Sequence, residues 1–514
     1  MREVDSAPHL GRGTGPAPRS TEMSSSLRVN ALALLAVPAS TAAQSPSYVF
    51  VGKAPNAQYG ALVANAGDTD GDGHPDLLIG APSDPRTTER AGALELRSGR
   101  TRALLFTWLG PGKGDQLGSS ADGAGDIDGD GRCDVLCGVL GGVGPEQCFI
   151  GHARVYSGAS GARLFTFAGR EHYDFFGLTT SGLGDLDGDG RCEFAIGCPG
   201  DDSLGRNRGF VEVRTGSTGA VLHTLRGDAD DDQFGWSCRV IGDADGDGTP
   251  DLCVAAPGHK VEGRSGHVRL HSGRNGVLLH RIDGESAGDR FGWSIASAGD
   301  LDGDGIPDIL CGAPGVDGAG EDSGAAYVHS GRTGERLLRV LGEQAGASFG
   351  WAVSGAGDID GDRRPDLWIA SPREDSSGDD VDRGAVRLVS GTDGRVLLTL
   401  RGRNPKAEFG SSICDLGEVE AGRHELVVGA RSDLGPDGTA GTASVFRVAL
   451  AQGDMPPSLV PGADEIERID PSRLASIDPP RTIELGDSGN RMLVYVAGIT
   501  VLALLGATFV AARR

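Results

Sequence analysis

The sequence has no basic surplus: 48 lysines and arginines stand against 72 aspartates and glutamates, giving a net charge of −24. That balance argues against nucleic-acid binding, which requires a basic face. Its nine cysteines contain no C-x-x-C pair, so no zinc site reads out. Its eleven histidines form no H-E-x-x-H. Outside the repeats described next, no carboxylate pair or cofactor motif points to an enzyme.

What the chain has instead is repetition. The pattern D-x-D-G-D-x-x-x-[DE] begins at Asp68, Asp126, Asp185, Asp243, Asp300 and Asp358, with gaps of 58, 59, 58, 57 and 58 residues. Six copies on one period mark a repeat architecture. In the first copy Asp68, Asp70, Asp72 and Asp76 hold positions one, three, five and nine, and His74 at position seven offers its backbone carbonyl. Four crowded carboxylates repel one another unless a cation sits among them, and oxygen-only ligands in this number suit calcium better than magnesium. Gly73 at position six permits the positive φ of a tight turn. Position twelve is Ile79, inside an apolar run, where an EF-hand needs a bidentate glutamate. The loop therefore reads as a calcium hairpin, not a helix-loop-helix.

The same reading gives five further ligand sets: Asp126, Asp128, Asp130 and Asp134 with Arg132; Asp185, Asp187, Asp189 and Glu193 with Arg191; Asp243, Asp245, Asp247 and Asp251 with Thr249; Asp300, Asp302, Asp304 and Asp308 with Ile306; Asp358, Asp360, Asp362 and Asp366 with Arg364. Arg132, Arg191, Thr249, Ile306 and Arg364 take position seven and contribute carbonyls. In the sixth loop Arg363 replaces the turn glycine, a strained exchange that makes it the weakest site. A seventh unit, Cys414 to Ala430, carries Gly417, Val419 and Ala421 where ligands belong and has lost its metal. Six loops of four carboxylates hold 24 acids, which equals the whole net charge of −24. Six bound calcium ions would halve it.

Before each loop stands an aromatic–glycine pair: Tyr59-Gly60, Phe176-Gly177, Phe234-Gly235, Phe291-Gly292, Phe349-Gly350 and Phe409-Gly410, with Leu117-Gly118 in the remaining slot. After it comes a short apolar run ending in small residues, such as Leu77 to Pro82. Two more strand-like runs follow around a Ser-Gly or Asp-Gly turn. Each period thus carries four strands, the size of a propeller blade. The Phe-Gly pair, the acidic loop and the Gly-Ala-Pro ending resemble FG-GAP repeats, the units of the integrin α-chain β-propeller and its bacterial relatives. The resemblance covers roughly residues 47–450 and breaks at Gly138-Val139-Leu140 and in the seventh loop. It implies an all-β, seven-bladed propeller with calcium between the first two strands of a blade and a recognition face opposite those loops. The seventh unit lacks a fourth strand, and Tyr48 to Gly52 precedes Tyr59-Gly60 as fourth strands precede other Phe-Gly pairs. The N-terminal strand is therefore expected to close the ring.

The ends set expectations about location. Residues 1–44 read as an N-terminal extension and signal peptide, in which Leu27 to Ala43 carries Arg28, an apolar stretch and Thr41-Ala42-Ala43 as the signal-peptidase site. The first 22 residues are either an unusually long leader start or precede a true start at Met23. Residues 45–450 form the propeller and 451–491 a flexible stalk rich in Pro, Asp and Glu. Met492 to Ala512 is 21 uncharged residues, long enough for one transmembrane helix. Arg513-Arg514 would be the cytoplasmic tail.

Cys137 and Cys311 share a repeat position, as do Cys133 and Cys192; recurrence reads as small buried hydrophobes, and Cys137–Cys148 is the disulfide to test. Arg226-Gly227-Asp228 spells an adhesion tripeptide but repeats a strand ending seen at Thr399 to Gly402. Gly486-Asp487-Ser488-Gly489 reads as linker. The expected function is a calcium-stabilised, membrane-anchored, extracytoplasmic binding or adhesion module for a protein or glycan. An exported carbohydrate-active enzyme using the channel, and a structural envelope protein without a discrete ligand, are the alternatives.

Overall fold

In six repeats the strand after the acidic loop is buried along its whole length, as in Asp76–Ala81, Glu193–Cys198 and Asp308–Ala313. A strand covered on both faces reads as a continuous apolar run rather than an alternating one. Here the covers are the neighbouring repeats. The computed structural model describes residues 45–141, 149–258, 263–375, 382–420, 423–434, 440–449 and 482–483.

These residues form seven sheets, each with four antiparallel strands, in chain order from the axis outward in blades 1 to 6, which is a seven-bladed propeller. Blade 1 comprises Leu62–Gly67, Asp76–Ala81, Ala93–Arg97 and Leu104–Leu109. Blades 2 to 6 repeat it. In blade 7 the outermost strand is Tyr48–Val51, paired antiparallel to Ala440–Val448 with Tyr48 opposite Val445. The expected closure by the N-terminal strand is the observed topology. Phe50 from that strand packs in one cluster with Tyr59, Leu109 and Val445, tying blade 7 to blade 1.

The aromatic–glycine pairs stand where one blade passes to the next. Gly350 has φ +84°, and a Cβ there would collide with the Ala325 carbonyl oxygen. Glycine is required for both reasons. Its neighbour Phe349 is buried in the core between blades. In blades 4 to 6 a tryptophan follows the pair, and Trp236, Trp293 and Trp351 pack in series with ring centroids 4.9 and 5.1 Å apart. The sequence reading did not single them out.

Two expectations change. Of the expected stalk, Thr482–Ile483 is described, and it pairs in parallel with the outer strand of blade 1 rather than standing as unpaired chain. Cys133 and Cys192 are only half-buried, and they lie at blade boundaries against Gly67 and Gly125 of the preceding blade rather than in a blade core. Cys137 and Cys311 are buried free thiols, and Cys148 lies outside the described residues. The expected leader, transmembrane segment and Gly486–Gly489 also lie outside them. Among the described residues no helix is long and apolar enough to cross a membrane.

Candidate metal centres

Each acidic loop joins the innermost strand of a blade to the second. The inner strand ends in a register shift at a glycine of positive φ, as at Gly67 (φ 70°), and the loop opens at the next residue. Asp68 then organises the turn: Oδ1 accepts from the backbone N–H of Gly71 and Asp72 at 2.6 and 3.1 Å, and Oδ2 from Gly73 at 3.0 Å. Asp70 accepts from the Asp72 N–H, and Asp72 from the His74 N–H. The other five loops repeat the tie from position six to position one, with the Arg363 N–H donating to Asp358 in the sixth. Arg363 does so at φ 73°, the left-handed conformation expected of it.

The ninth residue has a second task that the sequence reading missed. Asp134 is fully buried, and its carboxylate accepts from Ile127 and Asp128 within the loop and from Gly158 in the turn between the two outer strands. Asp76 reaches Gly99, Glu193 reaches Gly216, Asp251 reaches Gly273, Asp308 reaches Gly331 and Asp366 reaches Gly391. The Ser-Gly and Thr-Gly turns were the available signal: the glycine sits so close to the residue-eight carbonyl that no Cβ fits. One carboxylate thus clamps the acidic loop to the outer hairpin, and both lie on the same face of the ring.

Burial raises the carboxyl pKa of Asp134, Asp308 and Asp366 to about 6, and also raises those of Glu193 and Asp251. Asp70 is raised too, by burial and then by the charges of Asp76 and Asp72. These are carboxylates in want of positive charge.

In the first four loops positions one, three and nine bring carboxylate oxygens within 4.8 Å of one another: Asp68, Asp70 and Asp76; Asp126, Asp128 and Asp134; Asp185, Asp187 and Glu193; Asp243, Asp245 and Asp251. In the fifth the close group is Asp300, Asp302 and Asp304. The position-five residues Asp72, Asp130, Asp189 and Asp247 stand outside these groups and accept from position-seven N–H groups instead. Oxygen-only donors at this spacing fit a hard divalent cation and disfavour zinc or copper. In the seventh blade Phe409–Glu420 and Arg423–Leu434 run as long paired strands where the others form the loop. Gly417 and Val419 are strand residues there, and Ala421 lies outside the described residues.

An FG-GAP repeat profile matches residues 59–94, 291–329 and 349–389, in blades 1, 5 and 6. The chain is 31% identical to integrin alpha-V of Gallus gallus over 238 residues, which is 43% of this chain and 22% of that protein. The chain is an integrin-like FG-GAP β-propeller. Integrin alpha-5 of Xenopus laevis is 31% identical over 38% of the propeller chain, and human integrin alpha-IIb 32% identical over 40%. The alignments take in 20% and 21% of those two relatives, so the propeller chain spans about a fifth of each. A chain of a solved mitotic checkpoint complex superposes with a TM-score of 0.48 at 10% identity, covering 87% of this chain and 99% of that one.

The adhesion tripeptide sits in this propeller as a strand ending. Arg226 closes the strand Val221–Arg226 and lies over the Phe210 ring, 5.6 Å from its centroid. Asp228 accepts from Arg269 and Arg281, both at 3.0 Å. Its carboxylate is engaged within the fold.

Proposed function

We propose that this chain is a calcium-stabilised binding and adhesion module, held outside the cytoplasm by a single transmembrane segment at residues 492–512 with its C-terminus inside. The observation that carries the reading is the polarity of the ring. All six acidic loops and the outer turns they clamp occupy one face, so the loops between second and third strands crowd the other. That second face carries segments of unlike sequence, such as Ser83 to Arg90 and Ser203 to Arg208. They are held by ion pairs including Arg86–Asp84 within the first and Arg206–Asp231 from the second. Variable loops on a rigid scaffold are where recognition sits. The resemblance to integrin α chains supports the same face.

Calcium would be held by the six acidic loops, where it supplies the positive charge that the crowded carboxylates need and fixes each inner hairpin. The ligand is an extracellular protein or glycan, and the module acts by binding rather than catalysis. The axial cavity, about 240 Å³, is lined mainly by small and hydroxylated side chains with Asp122 and Arg239 as its charged members. No pair of carboxylates among its described lining could serve as acid and base. The test is a protein and glycan array probed with the full-length chain in calcium. Binding that is lost on exchanging Ser83 to Arg90 for a Gly-Ser segment supports the reading. Turnover of any arrayed glycan overturns it in favour of an enzyme, and silence on every surface favours a structural role.

A further inference from the structure

The side chain at loop position seven does not stay with its own loop. In three blades it is an arginine that crosses to the preceding blade. A Cβ on Gly129, at position four of loop 2, would collide with the Arg191 guanidinium from blade 3. Arg191 Nη1 stands 3.9 Å from Asp126 Oδ1, the first carboxylate of that loop, and is buried without a hydrogen-bond partner. Arg132 from blade 2 covers Gly71 of loop 1 in the same way. Arg364 from blade 6 covers Gly303 of loop 5, 2.9 Å from where a Cβ would stand, and donates to the Leu301 carbonyl.

Loops 3 and 4 are different. The position-seven residues of the next blades are Thr249 and Ile306, which stay against their own outer turns at Arg274 and Gly331, and nothing lies within 4 Å of a Cβ built on Gly188 or Gly246. Loops 4, 5 and 6 each receive an arginine from their own outer turn: Arg274 at 3.1 Å from Asp247, Arg332 at 2.6 Å from Asp304 and Arg395 at 2.8 Å from Asp360. For loop 3, no arginine among the described residues is paired with Asp185, Asp187, Asp189 or Glu193.

We propose that Arg132, Arg191 and Arg364 act across the blade boundary as resident competitors of the cation in the preceding loop, and that loop 3, which receives neither a crossing arginine nor one from its own outer turn, is the tightest cation site. The inference rests on reading the loops as cation sites. A guanidinium set against the first carboxylate satisfies part of the loop's need for positive charge before any ion arrives. Once an ion binds, the two like charges repel. At about 6 Å a divalent ion and a guanidinium repel by roughly 1.4 kcal/mol even in the dielectric of water, a factor of about ten in affinity. The arginine also makes each covered loop respond to its neighbour, because an ion in loop 2 pushes on a side chain whose backbone carbonyl belongs to loop 3.

The experiment is a calcium titration of the full-length chain against a chromophoric chelator at low ionic strength. Arg191→Gln should move one ion from the weaker class into the tight class with a gain of about tenfold. Arg132→Gln should do the same for loop 1, and Arg364→Gln should strengthen loop 5 by a similar factor while Arg332 keeps it out of the tight class, so the inference does not hang on one variant folding. Arg191→Lys, which keeps the charge, should titrate as the parent. Thr249→Arg should weaken the tight class by about tenfold. Parent-like curves for the folded glutamine variants, verified by parent-like melting in EDTA, overturn the inference. A parent chain that takes up no calcium removes the cation reading itself, which is a separate result.

Discussion

Asp134 Oδ1 accepts a hydrogen bond from the Gly158 backbone N–H at 3.0 Å, across 24 residues of chain. The contact recurs in all six loop-bearing blades, and it joins the candidate cation site to the outer half of the blade. The acidic loop is therefore a brace as well as a container.

Asp134→Ala should destabilise the propeller by about 3 kcal/mol, because it strands the buried N–H groups of Ile127 and Gly158 without a partner and frees the loop N–H of Asp128. The corresponding asparagine, which keeps one acceptor oxygen, should cost less. Denaturant unfolding in EDTA isolates this effect from metal binding. An alanine variant as stable as the parent would remove the brace.

Calcium binding should be linked to protons near pH 6. The Asp134, Asp308 and Asp366 carboxyls are raised by burial to about 6 from an ordinary 3.8. In chelator, these groups stabilise the fold fully below the unfolded pKa and lose that contribution as pH rises through about 6. Calcium must displace the proton, so its stabilisation shrinks as pH falls through the same range. Calcium added at pH 6 should release protons into a weakly buffered solution, and at pH 8 it should release almost none. Equal release at both values contradicts the assignment.

Two glycines separate strain from collision. Gly350 has φ +84° and no room for a Cβ, whereas Gly305 has φ +85° and nothing within 4 Å. Gly305→Ala should cost about 1–2 kcal/mol from the left-handed backbone alone. Gly350→Ala should cost more than about 3 kcal/mol, since the carbonyl it meets belongs to packed backbone. Equal shifts in melting temperature would mean that the blade passage is not tightly fixed.

Phe50→Ala should cost about 3–5 kcal/mol, the usual price of emptying a buried phenylalanine site. Phe50 is 4% exposed and lies in the cluster joining blades 7 and 1. Removing residues 45–52 should do more, exposing the edge of Ala440–Val448 and causing aggregation visible by light scattering. A monomeric truncated chain with parent-like melting would show that closure lies elsewhere.

The ring was legible because its signals are local and repeated. A fixed period, Asp-Gly turns and a missing fourth strand in the last unit give seven blades and their closure without any long-range information. The candidate ligands were legible for the same reason, since each set lies within nine residues. What could not be read was everything that crosses a blade boundary. Position seven looked like a carbonyl donor to its own loop, yet the Arg191 side chain reaches Asp126, 65 residues earlier in the chain. Cys133 shares a repeat position with Pro75 and was read as core, but it packs on Gly67 of the preceding blade. A repeat pattern fixes what each unit contains and is silent on which neighbour a side chain leans toward.

The strand Ala440–Val448 lies inside its sheet, bonded to Arg423–Leu434 on one side and Tyr48–Val51 on the other. The chain runs on toward its C-terminus from this strand. A pull on that end, once Thr482–Ile483 has come away from blade 1, would load two hydrogen-bond ladders side by side, so they must slide together rather than open one bond at a time. The strand that closes the ring also makes blade 7 a shear-resistant mooring for whatever force the C-terminal chain transmits.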